Sequence, residues 1–217
     1  MMQKQVQLKI KEKHIKKYRN GYPLIKKDDI ENLESLTNEG AIVNVVASDG
    51  QFIGRGYYGK QNKGYGWILT KQKDEQINGL FFEKKIKAAI KKRDTFFNDQ
   101  ETTAFRVFNA EGDGIGGLTI DYFEGYYVIQ WYSEGIFRFK EEILSALKRS
   151  VGFKGIYQKK RFNTGGKYIE DDDFVVGERA ESPMIVKENG VNIAVYLNEG
   201  AMVGVFLDQR EVRKKDF

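Results

Sequence analysis

The chain has 217 residues, 41% hydrophobic and 31% charged, the balance of a folded protein of one large or two small domains, and it has no apolar run near the roughly 18 residues of a membrane-spanning helix. It has no cysteine and one histidine, which excludes disulfides, thiolate metal sites and a cysteine nucleophile in these residues and argues against zinc; no metal is expected. The net charge of +5 is local: residues 1–27 hold nine Lys or Arg against one Glu, +8, and the other 190 residues sum to −3. Such a patch suits a polyanion, most often nucleic acid, or is a solvated lysine-rich face.

The lysine-rich start lacks the apolar core and small-residue cleavage site of a secretory signal, so a cytoplasmic protein is expected. Val6, Leu8 and Ile10 alternate with polar residues, the period of a strand. Residues 11–27 mix lysines with Tyr18, Gly21, Tyr22 and Pro23 and predict a loop or short helix. His14, set among lysines, is expected as a surface imidazole. The β-branched run 41–47 predicts a strand, Asp49-Gly50 a tight turn, and residues 52–58 and 67–70 two more strands. Residues 1–73 thus read as a small glycine-rich β-barrel or sandwich, with the charged stretch 71–75 as a boundary.

Phe82, Ile86, Ala89, Ile90 and Phe97 follow helical spacing. Strands are predicted over 104–109, 118–123 and 126–132, the last two joined by a Glu124-Gly125 turn. A second helix over about 136–149 puts Ile136, Ile143, Leu144 and Leu147 on one face. Residues 156–158 and 191–197 predict further strands, and the acids 170–173 a solvated loop. Val203, Val205 and Leu207 alternate with Gly204, Phe206 and Asp208, which lets that stretch extend as a strand. Helices and strands alternate loosely, so the class is α+β, multidomain, rather than a doubly wound sheet.

Two glycine-rich segments invite a ligand reading. Glu-Gly-Asp-Gly-Ile-Gly-Gly (111–117) follows a strand, but a phosphate loop needs a helix N-terminus next, and here a β-branched, aromatic strand follows. A turn between strands is the expected role. Gly-Arg-Gly-Tyr-Tyr (54–58) combines close backbone approach, a guanidinium fork for phosphate and rings that stack on bases; a glycine bulge with core tyrosines explains it equally well.

Taken in order, Gly-Arg-Gly-Tyr-Tyr (54–58), Ile-Leu-Thr (68–70), Arg106 with Glu-Gly-Asp-Gly (111–114), Gly-Leu-Thr-Ile-Asp (117–121), Glu-Asn-Gly (188–190) and Gly-Val-Phe-Leu-Asp-Gln-Arg (204–210) with Arg213 resemble one family. It is the bacterial class I S-adenosylmethionine-dependent ribosomal RNA methyltransferases with an N-terminal PUA domain, mostly cytosine-5 methyltransferases of large-subunit rRNA. The resemblance implies a PUA-like RNA-binding domain over 1–73, a central α+β domain over 74–185, and over 186–217 the beginning of a Rossmann-like methyltransferase domain. It also implies that the catalytic domain continues beyond Phe-Leu-Asp-Gln-Arg, so that its glycine-rich cofactor loop is missing here. Phe206, Asp208, Gln209 and Arg210 would border the cofactor cleft. S-adenosylmethionine is then the cofactor of the complete enzyme, with none expected on these residues alone; ribosomal RNA is the partner, and the family admits a homodimer.

Chemistry agrees from another side. Cytosine-5 methylation needs a nucleophile added to the neighbouring ring carbon, usually a low-pKa cysteine thiolate, and this sequence has no cysteine. No catalytic residue is therefore assigned. The expected function is the RNA-binding and substrate-positioning portion of such an enzyme, catalytically incomplete by itself. The rivals are a free-standing PUA-type RNA-binding protein and a protein-interaction scaffold. Lys16, Lys17, Arg19 and Arg55 are the expected backbone contacts and Tyr57 the expected stacker. Arg93 and Arg106 extend the surface, with an ion-pair role for Arg106 equally open. Three departures from the family pattern, Arg-Asn-Gly-Tyr-Pro-Leu-Ile (19–25), Gly-Ile-Gly-Gly (114–117) and Met202-Val203, leave the modified nucleotide open.

Overall fold

The computed structural model describes residues 6–61, 64–162, 172–200 and 202–214. Its first sheet contains β1 (Val6–Lys9), β2 (Leu24–Lys26), β3 (Ile42–Val46), β4 (Phe52–Gln61) and β5 (Gly64–Thr70), with a short helix α1 (Ile15–Arg19) between β1 and β2. The strand order is β1-β3-β4-β5-β2, with β1 parallel to β3 and the other pairs antiparallel. Leu8, Ile10, Ile15, Tyr18, Ile25, Val43, Val45 and Ile53 form its core. The glycines of β4 have a steric cause. A Cβ on Gly56 would lie 1.8 Å from the Trp67 carbonyl oxygen, so only glycine lets β4 and β5 approach there.

The second unit is built from α2 (Gly79–Lys92), α3 (Asp94–Phe97), β6 (Ala104–Asn109), β7 (Leu118–Phe123), β8 (Tyr126–Trp131), α4 (Glu134–Phe137), α5 (Lys140–Ser150), β9 (Gly155–Lys160) and β10 (Phe174–Gly177). Its sheet runs β10-β9-β8-β7-β6; β8 and β9 are parallel because α4 and α5 carry the crossover. The Asn78 side chain caps α2 by accepting from the Leu80 and Phe81 amides, both at 3.1 Å. Below that cap α2 buries Phe81, Phe82, Ile86 and Ala89, and α5 buries Ile143, Leu144, Ala146 and Leu147. Together they cover one face of the sheet.

The opposite face is half apolar and half polar. Ala104, Phe123, Val128 and Tyr157 pack under a hairpin of β11 (Met184–Glu188) and β12 (Val191–Val195), helped by Leu197, Val203, Val205 and Leu207. Arg106, Thr119, Asp121, Gln130 and Lys159 lie on the rest of that face.

The two sheets share a joint. Tyr57 and Trp67 belong to the same core as Ile115, Leu118 and Phe82. Their rings stack at 5.4 Å, the Tyr57 hydroxyl donates to the Gly116 carbonyl at 2.8 Å, and Trp67 Nε1 donates to Glu111 Oε1 at 2.6 Å. The segment 111–117 is thus the expected turn between β6 and β7, and it also seats Trp67.

Several expectations are corrected. Residues 203–208 form no strand; Leu207–Gln209 is a 3-10 turn leading into α6 (Arg210–Arg213). Arg213 makes a bidentate pair with buried Glu188, at 2.7 and 2.8 Å, and donates to the Phe206 carbonyl at 2.8 Å. The Arg210 guanidinium sits 4.6 Å from the Phe96 ring centre. The segment therefore folds back onto β11 and the second unit, because its cations find partners there. In the acidic stretch, Glu170 and Asp171 lie outside the described residues, but Asp173 is buried and paired with Lys159, whose side chain has no exposure. His14 is half-buried, with Nε2 3.3 Å from Asp29 Oδ1, since α1 turns it back over that carboxylate.

Candidate nucleic-acid interface

The basic N-terminal stretch wraps around one buried acid. Asp29 accepts from the Tyr18 hydroxyl at 2.6 Å and pairs with Lys17 and His14. Burial pushes the Asp29 carboxyl up, but hydrogen bonds from Lys17 and Tyr18 outweigh it and hold the group below its ordinary range. The Tyr18 hydroxyl is pushed up by burial and by the carboxylate it serves. This anchor fixes α1 and the turn that follows.

That turn presents Tyr22, which is 37% exposed. The Lys17 ammonium lies 4.5 Å and the Lys26 ammonium 5.8 Å from its ring centre. Tyr22, Gly21 and Pro23 form one lip of a groove of about 350 Å³, also lined by Thr70, Lys71, Gln72, Glu75, Lys84 and Lys85. Lys71 donates to the Arg19 carbonyl at 2.8 Å, tying the lip to the end of β5. Lys84 reaches Glu75 at 3.1 Å. The groove thus joins the first unit to α2 and offers one accessible aromatic face among several ammonium groups, the equipment for a single nucleic acid strand.

The expected contacts divide into two groups. Lys16 is exposed on α1, Lys17 stands beside Tyr22, and Arg19 is exposed with its guanidinium on Gln51 Oε1 at 2.8 Å; all three belong to α1. Arg55 is buried, donating to Asn44 Oδ1 at 2.8 Å and the Glu75 carbonyl at 2.9 Å, so it braces the first unit instead of meeting phosphate. Tyr57 is fully buried against Trp67 and offers no face to a base. Arg93 is bound bidentately by Asp113, at 2.7 and 3.2 Å. Arg106 is bound bidentately by Asp121, at 2.7 and 3.1 Å, the ion-pair role left open from sequence, with part of its side chain still exposed. Tyr22, which the sequence reading does not single out, is the ring that the groove leaves accessible. Its neighbours Gly21 and Pro23 mark a turn, where an aromatic ring has no core to enter, whereas Tyr57 lies in a strand whose alternation buries it.

Phe206, Asp208 and Gln209 are exposed around the 3-10 turn, and Arg210 is spent on Phe96. Alone these four side chains build no cradle able to enclose an adenosyl group. Among the described residues no His, Asp and Glu cluster could hold a metal, and no helix is long and apolar enough to cross a membrane.

A family model described as a PUA-like domain matches residues 8–71. The chain is 54% identical over 209 residues to the "Putative ribosomal RNA large subunit methyltransferase YwbD" of Bacillus subtilis, covering 95% of this chain and 53% of that protein. It is 30% identical over 199 residues to the ribosomal RNA large subunit methyltransferase I of Alteromonas mediterranea, covering 91% of this chain and 50% of the relative. Among solved structures it superposes with a TM-score of 0.87 and 32% identity on "A putative sam-dependent methyltransferase from Streptococcus mutans", covering 97% of this chain and 53% of that one. SMU.776, "a putative methyltransferase complexed with SAH", gives a TM-score of 0.86 at 32% identity. The chain spans about half the length of the curated relatives it matches. With a PUA-like domain followed by an α+β unit, it is a homologue, over nearly all of its own length, of the ribosomal RNA large subunit methyltransferases.

Proposed function

We propose that these 217 residues are the RNA-binding and substrate-positioning part of an S-adenosylmethionine-dependent ribosomal RNA methyltransferase. In this reading residues 1–73 take hold of the RNA and 74–185 form the platform beside it. Residues 186–217 lead to the methyl-donor cleft, with Phe206, Asp208, Gln209 and Arg210 on its border. Methyl transfer by the cysteine route then uses groups outside these residues, which contain no cysteine. The observation that carries the RNA assignment is the accessible Tyr22 ring, flanked by Lys17 and Lys26 on the lip of the groove.

Binding to a large-subunit rRNA fragment will be strongly salt-dependent, because lysines and arginines that engage phosphates release counterions. Changing Lys16, Lys17 and Arg19 together to Ala will weaken binding and lower the log–log salt slope by roughly two, at somewhat under one unit per lost phosphate contact. The loss is less than three contacts' worth because Lys17 already serves Asp29. Tyr22→Ala will leave the slope alone and weaken binding at every salt concentration by about 1–3 kcal/mol, the worth of one base stacked on an aromatic ring. Fluorescence anisotropy against ionic strength measures both. Affinity and slope unchanged in both variants would move the contact surface away from α1.

A further inference from the structure

A connected strip of polar side chains crosses the polar half of the second sheet's outer face. The Asp121 carboxylate on β7 holds Arg106 of β6 through two hydrogen bonds. On its other side it accepts from the Gln130 amide of β8 at 2.8 Å. The Gln130 oxygen in turn accepts from two nitrogens of Arg161, Nε at 3.1 Å and Nη2 at 2.9 Å. Two guanidiniums are thereby fixed in plane by one carboxylate and one amide, both buried. Directly across from Gln130 in the β7–β8 register sits Thr119, whose hydroxyl oxygen is buried without a hydrogen-bond partner.

Three features set this strip apart from a structural ion pair. A structural pair needs one cation per carboxylate, but Asp121 organises two arginines, Arg106 directly and Arg161 through Gln130. The Nη1 edges of Arg106 and Arg161 take no part in the hydrogen bonds that fix each arginine, so each arginine is held rigid and still has donors to offer. A buried hydroxyl with no partner costs free energy unless water or a ligand completes it. The strip also adjoins the C-terminal segment: Arg161 Nη2 lies 3.7 Å from Met202 Sδ, and the Asp208 charge acts on Arg106.

We propose that Arg106 and Arg161, held by Asp121 and Gln130 with Thr119 alongside, form a second RNA contact that takes the phosphate of one nucleotide on the free guanidinium edges. Rigid forked guanidinium donors match a phosphodiester. The inference rests on the RNA reading above and adds to it a site on a different unit from α1.

The test titrates the full chain with a short single-stranded RNA. Arg161→Gln should bind about fivefold to tenfold more weakly and lower the salt slope by about one. Arg161→Lys should recover the slope but only part of the affinity, because an ammonium cannot reproduce the fork. Thr119→Val should raise the melting temperature, by removing an unsatisfied hydroxyl, and still weaken RNA binding; a purely structural strip would show the first effect without the second. Unaltered RNA binding by Arg161→Gln and Thr119→Val, with binding still weakened by the α1 triple variant, would overturn this site alone. No RNA binding by the unaltered chain would overturn it together with the reading it rests on. Displacement of the RNA by poly-glutamate as effective as by an equal charge of unlabelled RNA, lost in Arg161→Gln, would assign the strip to an acidic protein segment instead.

Discussion

Gly116→Ala will lower the melting temperature by roughly 6–15 °C, the shift expected of a chain this size for about 3–4 kcal/mol. The added Cβ would stand 1.9 Å from Trp67 Cδ1 and 2.3 Å from Nε1, where no rotamer change of a methyl group relieves the clash. Trp67 cannot simply yield. It is buried, stacked on Tyr57 and bonded to Glu111, and moving it opens the joint between the two sheets. The loss therefore lies between the ~1–3 kcal/mol of an overpacked core and the ~3–5 kcal/mol of a deleted buried aromatic. Intrinsic fluorescence reports the event directly, since Trp67 is one of two tryptophans. Gly152→Ala, where an added Cβ meets nothing within 4 Å, is the matched control. Identical melting of Gly116→Ala and the unaltered chain would show that the joint is plastic.

Asp113→Asn will destabilise the chain by about 3–5 kcal/mol at neutral pH, because it leaves a mostly buried guanidinium without its counter-charge. The Asp113 carboxylate has a side-chain exposure of 3%. It accepts from Arg93 at 2.7 and 3.2 Å, from Lys92 at 2.9 Å and from the Asn109 amide at 2.8 Å. Burial pushes this carboxyl up, but the bonds from Arg93 and Lys92 prevail and hold it below the ordinary 3.8. A depressed folded-state value gives stability that is complete above the unfolded value, near 4, and is lost as pH falls through the folded one. The gap between the two proteins in urea unfolding should accordingly be widest near pH 7 and narrow below about pH 4, as the native Asp113 takes up a proton. Asp29, depressed in the same direction, will steepen the acid limb of both proteins alike. An equal gap at neutral and acid pH would show that shape, not charge, holds Arg93.

Local pattern was enough for much of this molecule. Runs rich in β-branched and aromatic residues marked β6 and β7 to the residue, because such side chains suit a pleated, buried surface and lie next to one another in sequence. Most of the buried faces of α2 and α5 were legible as well, by helical spacing, although Phe97 falls in α3 and Ile136 in α4, and so were the turn at 111–117 and the concentration of positive charge before residue 28. Ordered short segments, ending in Phe-Leu-Asp-Gln-Arg, were enough to identify the relatives.

What the tertiary structure decided is which groups meet. Periodicity says that Tyr57 points to one side of β4; only the arrival of Trp67 and Gly116 shows that this side is a buried joint, while Tyr22 is the accessible ring of the groove. A basic residue in sequence is a free cation until its acid is found. Arg93 finds Asp113 twenty residues on, Arg106 finds Asp121 across a strand pair, and Arg55 finds the Glu75 carbonyl. The alternating stretch 203–208 had strand periodicity, but a strand also needs an edge to pair with, and Glu188 and Phe96 draw Arg213 and Arg210 into a turn and short helix instead. The short β2, β10 and β11 escaped notice because three to five residues carry too little periodicity of their own. Chain-local chemistry therefore determined the elements and the kinship of this protein, while its working surface was determined by long-range pairing, which cancels some charges and leaves others exposed.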